Sequence, residues 1–266
     1  MNFHIIPAPP MLQKYVRYFW SAENDGSAGL HQEINTIVDD SSGIIIQHHN
    51  GHSSFLDENK ERVKTALAYG KRTHPTKSIS DMPFSATGVN FTSQGIRMIF
   101  GINPMALTNT LVGLDDIKGK YVAEQLMDQR NHTGRIRVLS SFISRQAKTA
   151  KEEDKLVQHC SSLIKAGAFN MRIAHLANSY GISERQLERR FKEAIGLPPK
   201  LFMRMMKFQH ALKQIAGGTS KNFCDIAYEF SYSDQSRLIS DFREFTNYTP
   251  RQIRLNLQRI LLLNEE

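Results

Sequence analysis

The sequence predicts an α+β protein with a mainly β N-terminal domain, either barrel or sandwich, a helical connector, and an all-α C-terminal domain with two helix-turn-helix motifs. Short β-branched and aromatic runs, broken by turn residues, fill residues 15–99, which is typical of strands. After Pro104, apolar residues recur at spacings of three and four, which is typical of helices. One helix-turn-helix pattern then occurs twice in the last third. A chain of 266 residues is long enough for two domains.

The first half contains several strand candidates separated by turns. Asn24-Asp-Gly26, Asn50-Gly51 and Gly101-Ile-Asn-Pro104 are turn sequences. Short strands between such turns predict a small sandwich or an open barrel. The best strand candidates are residues 16–20, 43–47, 63–69 and 86–91.

A helical connector begins at about residue 104. Its clearest helix spans about 134–146 and carries one apolar stripe, which either packs on the β domain or joins two subunits in a homodimer. The stripe consists of Ile136, Leu139, Phe142 and Ile143. Residues 148–154 have no large apolar side chain, so we expect a linker there. The predicted domains are therefore 1–150 and 151–266.

The chain is basic, and its charge is uneven. The net charge is +8, and between residues 170 and 260 Lys and Arg outnumber Asp and Glu by 15 to 8. A basic surface suits nucleic acid, an anionic membrane or an acidic partner. No apolar run approaches the roughly 18 residues of a membrane span, the first residues do not resemble a signal peptide, and Cys160 and Cys224 form no Cys-x-x-Cys pair. We expect a cytoplasmic protein with no membrane partner.

The first copy of the repeated motif spans about 173–196. Gly181 supplies the permissive backbone that a tight turn requires, and Ser183 with Gln186 forms a capping-box sequence that starts the second helix. Leu187 and Phe191 belong to its apolar inward face. The outward face is a polar stripe at spacings of three and four. It consists of Arg185, Glu188, Arg189 and Lys192.

The second copy spans about 223–247 and repeats the pattern with changes. Ser231 stands where the first copy has Gly181, and one more residue separates the turn from the first inward leucine, Leu238. The outward side chains are of types that address bases or phosphates. They are Gln235, Ser236, Arg237, Ser240 and Arg243. Two such units on one rigid body can enter successive major grooves on one face of DNA.

An amphipathic helix from about 199 to 216 links the two copies, and Gly217-Gly218 ends it. We expect this helix to hold the motifs at a fixed distance and its methionines, Met203, Met205 and Met206, to be core residues. Its apolar stripe consists of Leu201, Met205, Phe208, Leu212 and Ile215.

These residues resemble the DNA-binding domain of the AraC/XylS family of bacterial transcription regulators, over about the last hundred residues. The second copy follows the family signature with Ile226-Ala-x-x-x-Ser-Tyr-Ser-Asp-Gln-Ser-Arg-Leu-x-x-x-Phe-Arg-x-x-x-Asn-Tyr-Thr-Pro250, and the first with Phe191-Lys-x-x-x-Gly196-x-x-Pro199. Four positions depart from the family pattern. Lys207 and Ser240 replace the usual arginine, and Ser231 and Asn247 replace the usual glycine.

The resemblance implies that seven outward residues face bases. They are Arg185, Glu188, Arg189, Gln235, Ser236, Arg237 and Ser240. Phosphate contacts are predicted for basic side chains beside them. These are Arg190, Lys192, Arg204, Lys207 and Arg243. Because Ser240 replaces an arginine, we expect the second copy to make fewer direct base contacts and to depend more on DNA shape.

The resemblance further implies that the first half is a sensor domain, which binds a small-molecule effector or forms the dimer. Its pocket candidates are Trp20, His48, Arg97 and Phe100. The sequence Gln47-His-His-Asn-Gly-His52 also allows a cupin-like metal-dependent enzyme domain. However, His48 and His49 point to opposite faces of a strand, and no carboxylate stands at ligand spacing. No metal site, catalytic residue or cofactor is therefore predicted.

The predicted function is that of a sequence-specific transcription regulator, an activator, which binds promoter DNA, contacts RNA polymerase, and responds to a small-molecule effector or to dimer state. Two alternatives remain open. One is a cupin-like metal-dependent enzyme domain fused to a DNA-binding module, and the other is a non-regulatory DNA-binding or repair protein. Repair-type members of the family use metal-bound reactive cysteines, which have no counterpart in a chain whose cysteines are Cys160 and Cys224.

Overall fold

The computed structural model describes residues 2–26, 32–117, 120–129, 131–218 and 221–255. Within these ranges the first half forms two β-sheets with flanking helices, and the second half is helical, as predicted. The end of the predicted C-terminal domain, residues 256–266, lies outside the described residues.

The strands of the first half are short, as the turn spacing predicts. They are β1 (Asn2–Pro7), β2 (Val16–Asn24), β3 (Gln32–Thr36), β4 (Gly43–His48), β5 (Phe55–Leu56), β6 (Ala66–Tyr69), β7 (Thr76–Ser80), β8 (Phe84–Phe91) and β9 (Leu111–Gly113). One antiparallel sheet has the order β1-β2-β8-β4-β6-β9, and a smaller one has the order β3-β7-β5. This arrangement contains the four predicted strands as β2, β4, β6 and β8, and β1, β3, β5, β7 and β9 add to them.

The six-stranded sheet is covered on both faces, because successive side chains of a strand point in opposite directions. In β2, Phe19 joins the apolar cluster on the helical face. Its neighbour Trp20 packs on the other face, in a cluster with Phe84 of β8 and Phe55 of the smaller sheet. The first half is therefore a sandwich in which the second sheet covers one face and helices cover the other.

The helices of the first half are α1 (Gly95–Phe100), α2 (Lys120–Met127) and α3 (His132–Ala147), with 3-10 turns at Pro10–Leu12, Pro104–Leu107 and Leu114–Ile117. The apolar stripe of α3 packs on the sheet: Leu139 and Ile143 are fully buried, Phe142 is 3% exposed, and Ile136 packs against the same cluster. Of the two positions predicted for this stripe, the structure shows the intramolecular one. Leu139, Phe142 and Ile143 are thereby buried within the chain, and the dimer contact of this stripe stays a prediction.

The second half consists of α4 (Lys155–Lys165), α5 (Ile173–Ser179), α6 (Glu184–Ile195), α7 (Pro199–Ala216), α8 (Phe223–Glu229), α9 (Gln235–Thr246) and α10 (Pro250–Leu255). Helix α7 lies in the core, with Met205 and Phe208 fully buried and Met203 and Met206 nearly so, as its periodicity predicts. Among the described helices, none is long and apolar enough to cross a membrane.

The two halves of the chain contact each other outside the linker as well as through it. Ile37 and Val38, between β3 and β4, belong to the same core cluster as α7 and α9. The Val38 amide donates to the Phe245 carbonyl at 3.2 Å, and the Gln209 side chain donates to the Val38 carbonyl. The predicted linker is also held, because the Lys151 amide donates to the Met98 carbonyl at 2.7 Å.

Candidate nucleic-acid interface

The first helix-turn-helix motif has the local structure that its sequence predicts. Gly181 adopts a φ of 64° in the turn between α5 and α6, where a side chain would strain the backbone. The capping box forms: the Gln186 amide donates to Ser183 Oγ at 3.2 Å, and the Ser183 amide donates to Gln186 Oε1 at 2.8 Å. Leu187 and Phe191 are fully buried, so the opposite side of α6 faces outward.

The second motif differs at the turn and at the cap. Ser231 adopts the left-handed conformation, with a φ of 58°. The N-cap of α9 is Asp234, whose Oδ1 accepts from the Arg237 amide at 2.8 Å. The residue added to the second copy is therefore accommodated in the turn, since Leu238 and Leu187 both stand four residues after their N-caps.

The N-caps fix which positions of the two reading helices, α6 and α9, are equivalent. Arg185 corresponds to Ser236, and Arg189 corresponds to Ser240. The four side chains are exposed. At two outward positions the first motif therefore presents a guanidinium, and the second presents a hydroxyl.

The other predicted base contacts also lie on the reading helices. Gln235 and Arg237 are exposed, whereas Glu188 is half-buried. Glu188 accepts from Lys192 at 2.6 Å, and this hydrogen bond lowers the pKa of the Glu188 carboxyl. Arg237 lies 3.5 Å from the buried carboxylate of Asp241.

Three of the five predicted phosphate contacts are instead engaged in structural pairs. Arg190 makes a bidentate pair with Asp154, at 2.8 and 2.7 Å. Burial of Asp154 opposes ionisation, but the hydrogen bond from Arg190 lowers its pKa below the ordinary value. Because this guanidinium is paired, Arg190 does not present a free charge to DNA.

Arg204 and Lys207 lie on α7 and donate hydrogen bonds to α9 and to the turn of the second motif. Arg204 donates to Asp241 and to Glu244, at 2.7 Å each, and these hydrogen bonds outweigh burial and raise the pKa of the guanidinium. Lys207 donates to the Ser231 carbonyl at 2.7 Å, and burial lowers its pKa. A sequence pattern does not identify these partners in α9 and in the turn, and the phosphate contacts of the two residues stay a prediction.

Lys192 and Arg243 remain candidates for phosphate contact. They are equivalent residues, each nine positions after the N-cap of its helix. Lys192 is half-buried and bonded to Glu188, whereas Arg243 is exposed. Arg243 of the second motif is therefore more exposed to solvent than Lys192 of the first.

The three pocket candidates whose side chains the structure describes do not line one pocket. Trp20 lies between the sheets, against Gly88, where an added Cβ would lie 2.4 Å from the ring. Phe100 packs on the helical face beside Phe91 and Phe142. Arg97 donates to the Glu152 carbonyl at 3.3 Å. The side chain of His48 lies outside the described part of the structure.

Polar residues that sequence reasoning missed lie on the same face as Trp20. Asn90 of β8 donates to Tyr18 Oη at 2.8 Å and to Ser41 Oγ at 3.1 Å. Burial raises the pKa of the nearby Asp39 carboxyl. Alternation along β2 pairs Tyr18 with Trp20 on one face, which is the signal that could have found this group.

The histidine segment forms a tight hairpin. His49 and His52 exchange backbone hydrogen bonds of 2.8 and 3.0 Å across the Asn50-Gly51 turn. Within the described residues, no group of three or more His, Cys, Asp and Glu side chains is placed to hold a metal ion.

A buried carboxylate joins the two halves. Asp40 follows the segment inserted into the C-terminal core and contacts Arg17 of β2 and Lys165 of α4, while Lys71 Nζ lies 3.6 Å away. Burial opposes ionisation of Asp40, but the charges of Lys165, Arg17 and Lys71 hold its pKa well below the usual range. Burial lowers the pKa of Lys71 to about 8.

Two family models match the chain. A model described as helix-turn-helix domain matches residues 176–256, which include both reading helices. A model described as a domain of unknown function, DUF6597, matches residues 4–113. The HTH-type transcriptional activator RhaS of Escherichia coli is 33% identical over 82 residues, which are 30% of this chain and 28% of that protein.

Over residues 176–256 the chain is therefore similar to the DNA-binding domain of AraC/XylS transcription regulators. Two solved structures are also similar. An AraC-type regulator from Chromobacterium violaceum is 28% identical, with 40% of this chain and 94% of that chain covered and a TM-score of 0.36. ToxT from Vibrio cholerae, bound to an unsaturated fatty acid, is 15% identical, with 93% and 98% covered and a TM-score of 0.49.

The helix-turn-helix match lies in the second half of the chain. The chain spans about 28% of the length of the RhaS proteins it matches. These relatives are transcription regulators, a class whose members are generally not enzymes. The departures from the family pattern at Ser231 and Asn247 both occupy left-handed backbone, with φ values of 58° and 66°.

Proposed function

We propose that this AraC/XylS protein is a sequence-specific activator of transcription, which binds promoter DNA through two unequal helix-turn-helix motifs and responds to a small-molecule effector or to a change in its dimer state. The proposal includes RNA polymerase as a partner. The observation that carries it is the packing of α6 and α9 on one apolar core, which also contains α7. Two reading helices fixed in this way suit two successive major grooves.

The outward residues support sequence reading by the first motif and a more shape-dependent contact by the second. Arg185 and Arg189 are exposed on α6, and arginine pairs with guanine in the major groove. Their equivalents on α9 are Ser236 and Ser240, whose hydroxyls discriminate less strongly between bases.

Binding to random-sequence DNA pools, followed by titration of the selected duplex, tests the DNA-binding step. We expect a preferred site that spans two major grooves and an affinity that falls steeply with salt, because phosphate neutralisation releases counterions. Uniform binding to every duplex would support an architectural or repair protein instead.

Genome-wide mapping of bound sites, combined with transcript levels in a strain that lacks the protein, tests activation. We expect bound sites beside promoters whose transcripts decrease when the protein is absent. An increase of those transcripts would identify a repressor and would contradict the activator assignment.

The proposed domains, residues 1–150 and 151–266, are tested by truncation. A fragment from Lys151 lacks Ile37 and Val38, which pack in the core of the C-terminal domain. We therefore expect the fragment to bind DNA but to be less stable than the intact chain. A fragment that neither folds nor binds would contradict this division.

For the effector, we propose the face between the two sheets, where Trp20, Tyr18 and Asn90 lie. Ligands are expected to raise the melting temperature of the intact chain and to quench the fluorescence of Trp20, the chain's single tryptophan. Sedimentation measurements with and without ligand test the proposed dimer.

A further inference from the structure

The second reading helix carries an arginine in its first turn that has no counterpart in the first. Arg237 is the third residue after the N-cap Asp234, and the equivalent residue of α6 is Gln186. The Gln186 side chain accepts from the Ser183 amide, so it is engaged in the capping box. Asp234 caps α9 by accepting from the Arg237 amide, which leaves the Arg237 side chain outside the cap.

Asp241 lies one helical turn after Arg237, on the same side of α9. Side chains four residues apart on a helix are neighbours, and Arg237 Nη2 lies 3.5 Å from Asp241 Oδ1. The same oxygen accepts from Arg204 of α7 at 2.7 Å. The Asp241 side chain is 1% exposed, whereas the Arg237 side chain is 47% exposed. The carboxylate is therefore fixed inside the domain, and the guanidinium beside it reaches the surface.

The second oxygen of Asp241 can take a further hydrogen bond. Within the described residues, Oδ2 is buried and has no hydrogen-bond partner. The hydroxyl of Tyr232, whose pKa is raised by burial and by the charge of Asp241, has no partner there either. A buried carboxylate oxygen without a donor is unfavourable, so the approach of the Arg237 guanidinium to Asp241 is favoured.

An arginine held in this way is suited to read a base. A guanidinium has several N–H donors in a rigid fork, and the contact with Asp241 involves Nη2, which leaves other donors for DNA. The N-terminal residues of a recognition helix contact base edges, and arginine binds guanine O6 and N7 together. A side chain that is ordered before binding loses less rotamer freedom when it binds.

We propose that Asp241 is a positioning residue for Arg237, and that Arg237 reads a guanine in the half of the site that the second motif binds. This inference rests on the proposed function. Arg237 then supplies most of the base preference of the second motif, because its exposed neighbours Ser236 and Ser240 have short side chains. Asp241 also stabilises the domain through Arg204, so the experiments must separate the two roles.

The base contact is tested with Arg237→Ala in the intact chain, and Arg243→Ala is the matched control on the same helix. Binding is measured for the selected duplex and for a duplex in which one G·C pair of the second half-site is replaced. We expect Arg237→Ala to lower the preference between these duplexes about tenfold, the value of one bidentate contact. Arg243→Ala should weaken binding to both duplexes equally, as loss of a phosphate contact does.

The positioning role is tested with Asp241→Asn, and Glu244→Gln is its control. Each change removes one carboxylate that accepts from Arg204, but Asp241 is the one that lies beside Arg237. We expect Asp241→Asn to lose most of the preference that Arg237→Ala loses, and Glu244→Gln to keep it. The double variant Arg237→Ala/Asp241→Asn should lose no more preference than Arg237→Ala, because the effects of coupled residues are not additive.

A measurement on the unmutated chain decides the question if Asp241→Asn does not fold. NMR relaxation of the arginine Nε–H groups reports their order in the free protein. We expect the Arg237 group to be more ordered than that of Arg185, which is exposed on α6 and has no ion pair among the residues that the structure describes. Equal mobility of the two groups would overturn the positioning role.

Two further results would overturn the inference and leave the regulator assignment intact. One is a base preference that survives in folded Asp241→Asn or falls as far in Glu244→Gln, because Asp241 would then act through Arg204. The other is an equal loss of affinity for both duplexes in Arg237→Ala, which would identify a phosphate contact. If the unmutated chain prefers no duplex sequence, the proposed function itself fails, and this inference fails with it.

Discussion

The two helix-turn-helix motifs have the same inward face and different supports. In the second, the reading helix is fixed from within its own domain, because Asp241 is 1% exposed and accepts from Arg204 of α7. In the first, the equivalent position is Arg190, which pairs with Asp154 beside the linker. The end of α6 also touches Pro104 and Thr108 of the first half, whereas Val38 of the first half meets α9 at Phe245, near its C-terminal end.

This difference indicates that the two motifs contribute differently to DNA binding. The second motif has a fixed internal support and an open reading face, so its contribution to binding is expected to be constant. The first motif carries the arginines suited to base recognition, and its reading helix ends against Pro104 and Thr108 of the first half. Regulation through the first half would then act on the more sequence-selective motif.

The largest expected effect is on stability. Asp241→Ala leaves the partly buried Arg204 without its buried partner, and we expect a loss of about 3–5 kcal/mol in the free energy of unfolding. Asp154→Ala, the matched change in the first motif, removes an N-cap and a more exposed ion pair, and we expect about 1–2 kcal/mol. Chemical denaturation of the intact chain measures both. Equal losses would show that the two supports do not differ as described.

The next effect is on sequence preference. Arg185→Ala and Arg189→Ala are each expected to cost about 1–3 kcal/mol of binding and to relax specificity at one base pair. Ser236→Ala and Ser240→Ala, at the equivalent positions of α9, are expected to change the preference little. Competition binding with single-base variants of the selected duplex measures this. A larger loss from the serine variants would reverse the proposed order of the two motifs.

A smaller effect is expected at the turns. Ser231→Gly relieves left-handed strain and should stabilise the protein by about 1 kcal/mol, and Gly181→Ser should destabilise it by a similar amount. Asn247→Gly is the control, with a gain of a few tenths of a kcal/mol, because asparagine tolerates this conformation. Thermal unfolding measures all three. A loss of stability in Ser231→Gly would show that the serine side chain makes a contact that outweighs the strain.

The smallest effect concerns salt dependence. Arg243→Ala should reduce the slope of log affinity against log salt by about one unit, since one phosphate contact is removed. Lys207→Met should lower stability and leave the slope unchanged, because Lys207 donates to the Ser231 carbonyl inside the domain. A reduced slope in the Lys207 variant would show that Lys207 contacts phosphate, as the sequence predicts.

Local sequence patterns were sufficient to predict the features that depend on interactions between residues close together in the chain. The capping box of Ser183 and Gln186, the turn at Gly181 and the buried stripe of α7 each depend on residues a few positions apart. Helical periodicity and capping act at that range, so the two motifs and their outward faces could be predicted together with the family.

The tertiary structure decided the features that depend on distant partners. Arg190 and Asp154 are 36 residues apart, Arg204 and Asp241 are 37 apart, and Thr108 and Gly196 are 88 apart. A basic residue beside a reading helix has the same sequence pattern whether it faces phosphate or a buried carboxylate. The apolar stripe of α3 likewise looks the same whether it packs on the sheet or on another subunit.

The sequence by itself therefore determined the two reading helices: both are capped, one carries outward arginines, and the other carries outward serines. Only the tertiary structure decided which cations are already paired and which residues of the first half each reading helix contacts. The physical reason is range, because propensity and capping act over a few residues, whereas burial and ion pairing depend on how the whole chain packs.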